Sequence, residues 1–151
     1  MHAIVSVLLL SILLLSPATA FARDTERFCS AEQAAQSERG RAHLLGIPFY
    51  LKGQEHPPAK TSLLEVTTSQ STRGAFRSDE ASCRVAFLSA VRVLQERARA
   101  NDGDAIIDIV SVTRDEQTES SSQFRCAAGS MVVNVGLRGT VVKLSSGEPG
   151  N

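Results

Sequence analysis

Residues 78–100 read SDEASCRVAFLSAVRVLQERARA, and NDGD follows at once as residues 101–104. Ser78 is a strong N-cap residue, and Asp79 and Glu80 fall in the first turn, where the helix dipole favours carboxylates. Cys83, Ala86, Phe87, Ala90, Val91, Leu94 and Ala98 recur at steps of three and four, which draws one apolar stripe down a helix. Arg84, Arg92, Glu96, Arg97 and Arg99 fall largely off that stripe and read as a solvated face. Asn101-Asp102-Gly103 stops the helix, with Gly103 expected in the left-handed conformation that ends many helices. A stripe this long needs a sheet to cover it.

The flanking sequence supplies one. Ala105 to Val112, with Ile106-Ile107 and Ile109-Val110, reads as a buried strand directly after the helix. Thr113 to Ser122 is polar and reads as a connection, Gln123 to Ala128 as a short strand, and Met131 to Leu144 as a long one. In that last strand Val133, Val135, Leu137 and Val141 alternate onto one face and Asn134, Arg138 and Thr140 onto the other. Upstream, Cys29 to Leu44 reads as a short helix with Ser30 as its cap and Gly40 as its interruption. Ile47 to Leu51 is an edge-strand candidate because of Pro48, Lys52 to Lys60 a loop, and Leu63 to Thr68 a further strand. The order is helix, strand, strand, long helix, strand, strand, strand. It predicts an α+β fold: a mainly antiparallel sheet with one long covering helix.

The chain starts differently from how it continues. Residues 1–22 hold no Lys, Arg, Asp or Glu, and an apolar block from Ile4 to Leu15 is followed by Pro17 and overlapping small-residue patterns ending at Ala20 and Ala22. This is the layout of a secretory signal peptide. It predicts residues 1–22 as the signal, residues 23–144 as a single α+β domain, and residues 145–151 as a disordered Gly/Ser/Pro tail. The apolar block is shorter than the roughly 20 residues a membrane span needs, so no transmembrane span is expected after cleavage. The expected location is the periplasm or the exterior.

The 16 basic and 16 acidic side chains cancel, aromatics make up 5%, and tryptophan is absent. A balanced charge gives no electrostatic case for nucleic acid, and few rings are available for stacking on bases.

Export changes how the three cysteines are read. Cys83 belongs to the apolar face of the long helix and Cys126 to a strand on the core side. A Cys83–Cys126 disulfide is therefore expected, with pairings that use Cys29, or two reduced core cysteines, as alternatives. No spacing of zinc-finger type occurs, nor a nucleophile elbow or a phosphate loop. His43 lies in an amphipathic segment and His56 in a Pro-rich loop after Glu55. Asp102, Asp104 and Asp108 cluster without calcium-loop spacing and read as a helix-capping turn.

Residues 78–83, 86–90 and 94–98, together with Asp104 to Ser111, Cys126-Ala127-Ala128-Gly129 and Val135 to Gly139, resemble a group of small exported bacterial proteins. Phe49-Tyr50 and Glu55-His56-Pro57 resemble its upstream part. Members often carry an excinuclease ABC label, in the form of the excinuclease ATPase component. That label implies cytoplasmic DNA repair, whereas the signal-like start and the lack of a phosphate loop predict an exported protein and not an excinuclease ATPase. More distantly, the helix, the Gly103-Asp104-Ala105 turn, the Ile-rich strand and the long last strand resemble the YbjQ-like fold, which includes the disulfide-bonded envelope stress sensor RcsF. The resemblance implies a sheet-and-helix domain with a disulfide from helix to strand.

The expected function is that of a non-enzymatic envelope protein, an interaction or stress-related domain with an envelope protein as partner and no cofactor. The alternative is a periplasmic metal-binding protein drawing on His43, His56, the acidic turn and Cys29.

Overall fold

The computed structural model describes residues 23–145. The expected signal peptide, and all of the expected tail except Ser145, lie outside those residues. In chain order the elements are β1 (Asp24–Ser30), α1 (Ala31–Gln36), α2 (Glu38–His43), β2 (Phe49–Leu51) and β3 (Ala59–Arg73), then α3 (Asp79–Ala100) and β4 (Ala105–Ser111). A single 3-10 turn (Thr113–Asp115) leads to β5 (Gln123–Gly129) and β6 (Val132–Leu144). The fold is α+β, and none of the described helices is long and apolar enough to cross a membrane.

The helix α3 forms where its caps and stripe place it. Ser78 accepts a hydrogen bond from the Ala81 N–H, and Cys83, Ala86, Phe87, Ala90, Val91, Leu94 and Ala98 are all buried. They pack chiefly on β6 and β3. Phe87 stacks on Phe124 of β5 at 4.0 Å and meets Phe49 of β2 edge-on at 6.3 Å. Each large side chain removed from water here contributes about 1.5–3 kcal/mol. The Sγ atoms of Cys83 and Cys126 lie 2.06 Å apart, a disulfide that ties α3 to β5 within this core.

The helix stop differs in detail from the reading of Gly103. Asp102 takes the left-handed conformation, with φ 55°, and Gly103 does not. Gly103 is required for space instead, because a Cβ there would sit 2.3 Å from Cγ1 of the buried Val141. Asp104 then accepts from the Leu144 N–H at 2.9 Å and lies 3.5 Å from the Lys143 ammonium. Asp108 sits at a bulge in β4 with φ 52°. The acidic cluster is thus spread over a helix stop, a strand end and a bulge.

The six-stranded sheet is organised by β6. One edge of β6 carries β3 along its whole length, from Val132 to Leu144. The other edge is shared: β5 pairs at Val133 and Asn134, and β4 takes over from Leu137 to Val142. β1 adds to β5, and β2 adds to β4. Splitting one edge between two partners curls the sheet and opens a fork beside Val135 and Gly136.

The connection between β4 and β5 fills that fork. The Val112 N–H donates to the Gly136 carbonyl at 2.9 Å, and the Gly136 N–H donates to Thr113 Oγ1 at 3.1 Å. Thr113 Oγ1 in turn donates to the Arg125 carbonyl at 3.0 Å, while the Arg125 N–H donates to Ser111 Oγ at 2.9 Å. The nearly buried Arg125 guanidinium is paired with Glu26 and Glu116. Each of these polar groups in the fork has a partner, which is what burial demands.

Three expectations are corrected. The sheet is mixed, not mainly antiparallel, because β2 joins β4 in parallel. The long passage through β3 and α3 returns the chain in the same direction, which a parallel pair requires. The stretch read as one helix from Cys29 is strand β1, ending at Ser30, followed by two short helices. Their break is Ser37, whose backbone N–H caps α1 and whose hydroxyl caps α2, not Gly40. Gly40 lies inside α2, where a Cβ would stand 2.3 Å from the Ala35 carbonyl oxygen and only glycine fits. Finally, β3 spans Ala59–Arg73, far beyond Leu63 to Thr68.

Candidate functional site

The short turn at Ser37 leaves α1 lying opposite β2. Between them runs a groove of about 840 Å³, within the usual range for ligand sites. Ala31 and Ala35 of α1 form one side, with Glu32 at the rim. Leu44, Ile47, Phe49 and Leu51 line it with apolar surface, and Tyr50, Gln54 and Glu55 bound the far side.

Hydrogen bonds fix this lining in place. Gln95 is buried in α3, accepts from the Leu45 N–H at 2.9 Å and donates to the Ile47 carbonyl at 2.7 Å. It pins the irregular segment between α2 and β2 from both ends. Gln54 closes the other end, accepting from the Leu51 N–H at 2.7 Å and donating its own N–H to the Leu51 carbonyl. Gly53, at φ 89°, makes the turn that brings Gln54 back. Only glycine takes that conformation without cost.

The charge of the groove has one sign. Among its lining residues are Glu32 and Glu55 and no Lys, Arg or His. Glu32 is held by a hydrogen bond from Gln36 at 2.9 Å. Neither carboxylate takes part in an ion pair among the described residues. β2 closes the strand order, so one of its edges carries no ladder, but Gln54 already holds the N–H and the carbonyl of Leu51 there. An apolar trough with unpaired carboxylates suits a chain bearing cations beside apolar side chains.

No family model, curated protein or solved structure matches this chain.

The residues singled out in the sequence are dispersed. His56 sits just beyond the groove, 5.5 Å from Tyr50 between ring centres, with Nδ1 2.8 Å from the Pro57 carbonyl oxygen. His43 ends α2, and its carbonyl accepts from Arg92 at 2.6 Å. Among the described residues no cluster of three His, Cys, Asp or Glu side chains is placed to hold a metal ion. Sequence reasoning missed α1 as a wall, and it missed Gln95. The signal for Gln95 was present: a glutamine four residues after Val91 falls on the apolar stripe, where an amide must find partners.

Cys29 is the free thiol, half-buried on β1. Burial pushes its pKa up from the ordinary thiol value, and the Glu80 carboxylate adds to the rise. The neutral thiol is therefore favoured, and a thiol is a poor nucleophile. Iodoacetamide should alkylate Cys29 in the native protein more slowly at pH 8 than it alkylates an unfolded control. Raising the pH should close that gap, as mass spectrometry of the labelled chain would record. Equal rates at pH 8 would show an exposed, reactive cysteine instead.

Proposed function

We propose that this chain is an exported interaction domain of the cell envelope, non-enzymatic, whose groove between α1 and β2 takes an extended, cationic segment of a partner protein. The observation that carries the reading is the groove itself: apolar walls, two unpaired carboxylates and no basic residue in the lining. The apolar walls would supply affinity, and the carboxylates would select Lys or Arg beside apolar side chains.

Export is supported by the apolar start of the chain and by the Cys83–Cys126 pair, which an oxidising compartment keeps. The kinship to the YbjQ-like fold and RcsF is part of this proposal, supported by the disulfide that runs from helix to strand. The excinuclease label has no support in the groove, which lacks the basic lining a nucleic acid requires.

Fluorescence anisotropy with labelled peptides tests the reading. Extended peptides alternating Lys or Arg with Leu or Phe should bind, and their acidic counterparts should not. Glu32→Gln combined with Glu55→Gln should weaken binding roughly ten-fold, and added salt should do the same. Equal binding of acidic and basic peptides, or none of either, would reject the proposal.

A further inference from the structure

The far end of β6 carries a second, different surface. The β3–α3 loop and the β5–β6 turn lie side by side there, joined by a hydrogen bond from the Gly74 N–H to the Met131 carbonyl at 2.9 Å. Phe76 stands at the crest and is fully exposed, with Met131 75% and Val132 55% exposed beside it. The Phe76 backbone is left-handed, with φ 66°, a conformation uncommon for a bulky residue. The loop thus holds an aromatic ring in water where an ordinary turn residue would do.

Cations flank these apolar groups. Arg73 is directly opposite Val132 in the ladder, and Arg77 follows Phe76. Both are exposed, and neither joins an ion pair among the described residues. The nearby carboxylates are already engaged. Asp79 is held by Arg23 at 2.6 Å and by Arg27 at 3.2 Å, and Asp24 by Arg114. The end of the molecule is therefore a convex apolar tip with a basic collar.

We infer that this tip docks the protein on an anionic phospholipid surface, with Phe76 and Met131 entering the acyl boundary and Arg73 and Arg77 meeting lipid phosphates. A protruding crest fits a deformable bilayer, and unpaired arginines beside exposed apolar side chains are what an interfacial anchor needs. The inference is independent of the groove, whose lining shares no residue with the tip.

The chain has no tryptophan, so Phe76→Trp places a single indole at the crest, excited selectively over Tyr50. Its emission should shift to the blue with vesicles of phosphatidylcholine and phosphatidylglycerol, and much less with phosphatidylcholine alone. In sedimentation, Phe76→Ser with Met131→Ser should reduce vesicle binding roughly ten-fold. Arg73→Gln with Arg77→Gln should remove the preference for the anionic lipid. Wild type and variants share one amino terminus, so differences between them belong to the tip. An unshifted emission with both vesicle types, or sedimentation unaffected by Phe76→Ser, would overturn the inference. An unshifted emission would also leave the crest to a protein pocket.

Discussion

Replacing Cys83 and Cys126 together by alanine is expected to lower the unfolding free energy by about 4 kcal/mol. The bridge spans 43 residues, and closing a loop of that length removes much of the unfolded chain's freedom, which is where the effect lies in the chain-entropy model. Both side chains are fully buried, so the double variant loses two sulfur atoms from the core as well. About 4 kcal/mol is a large share of the 5–15 kcal/mol typical of a domain, yet the core around Phe87, Leu94 and Val135 remains. The variant should therefore fold but unfold at markedly lower urea. A midpoint unchanged from wild type, or unaffected by reduction of the native protein, would contradict a bridge between α3 and β5.

Gly136→Ala should cost about 2–4 kcal/mol without touching the groove. A Cβ at this position would stand 2.8 Å from the Val112 carbonyl oxygen and 3.2 Å from the Thr113 backbone nitrogen. Those atoms are main chain, so relief requires the plug to back out of the fork. That movement breaks the bonds from Val112 to Gly136 and from Gly136 to Thr113, and leaves buried polar groups without partners. Hydrogen exchange should show the loss at residues 111–113 and 124–126 first. Wild-type stability in this variant would show that the β4–β5 connection does not fill the sheet's split edge.

The contrast between legible and hidden parts of the fold follows from where each element draws its stability. α3 and β6 bury whole faces, so their apolar spacing was visible in Cys83, Phe87 and Val91 and in Val133, Val135 and Leu137. β1, reading DTERFCS, is attached to β5 by its backbone and buries little, so its side chains carried no alternation to read. The length of β3 was hidden for a related reason: its Thr- and Ser-rich second half lies against β6 through the ladder, with only Val66 and Thr68 buried. The parallel placement of β2 depends on the route of the chain through β3 and α3, which three residues cannot encode. Of the groove, the Ile47 to Leu51 wall and Glu55 were in view. The opposing wall depended on the turn at Ser37, where a double-capping serine gave less signal than the nearby Gly40.

The groove is the centre of the proposed function, and amide chemical shifts test it most directly. The isotope-labelled protein would be titrated with an extended peptide alternating arginine and leucine. Shifts confined to residues 31–36 and 44–55 are predicted, with the Gln95 side-chain amide moving alongside them. Shifts clustered elsewhere, or a spectrum unchanged at the highest peptide concentration, would contradict a peptide site between α1 and β2.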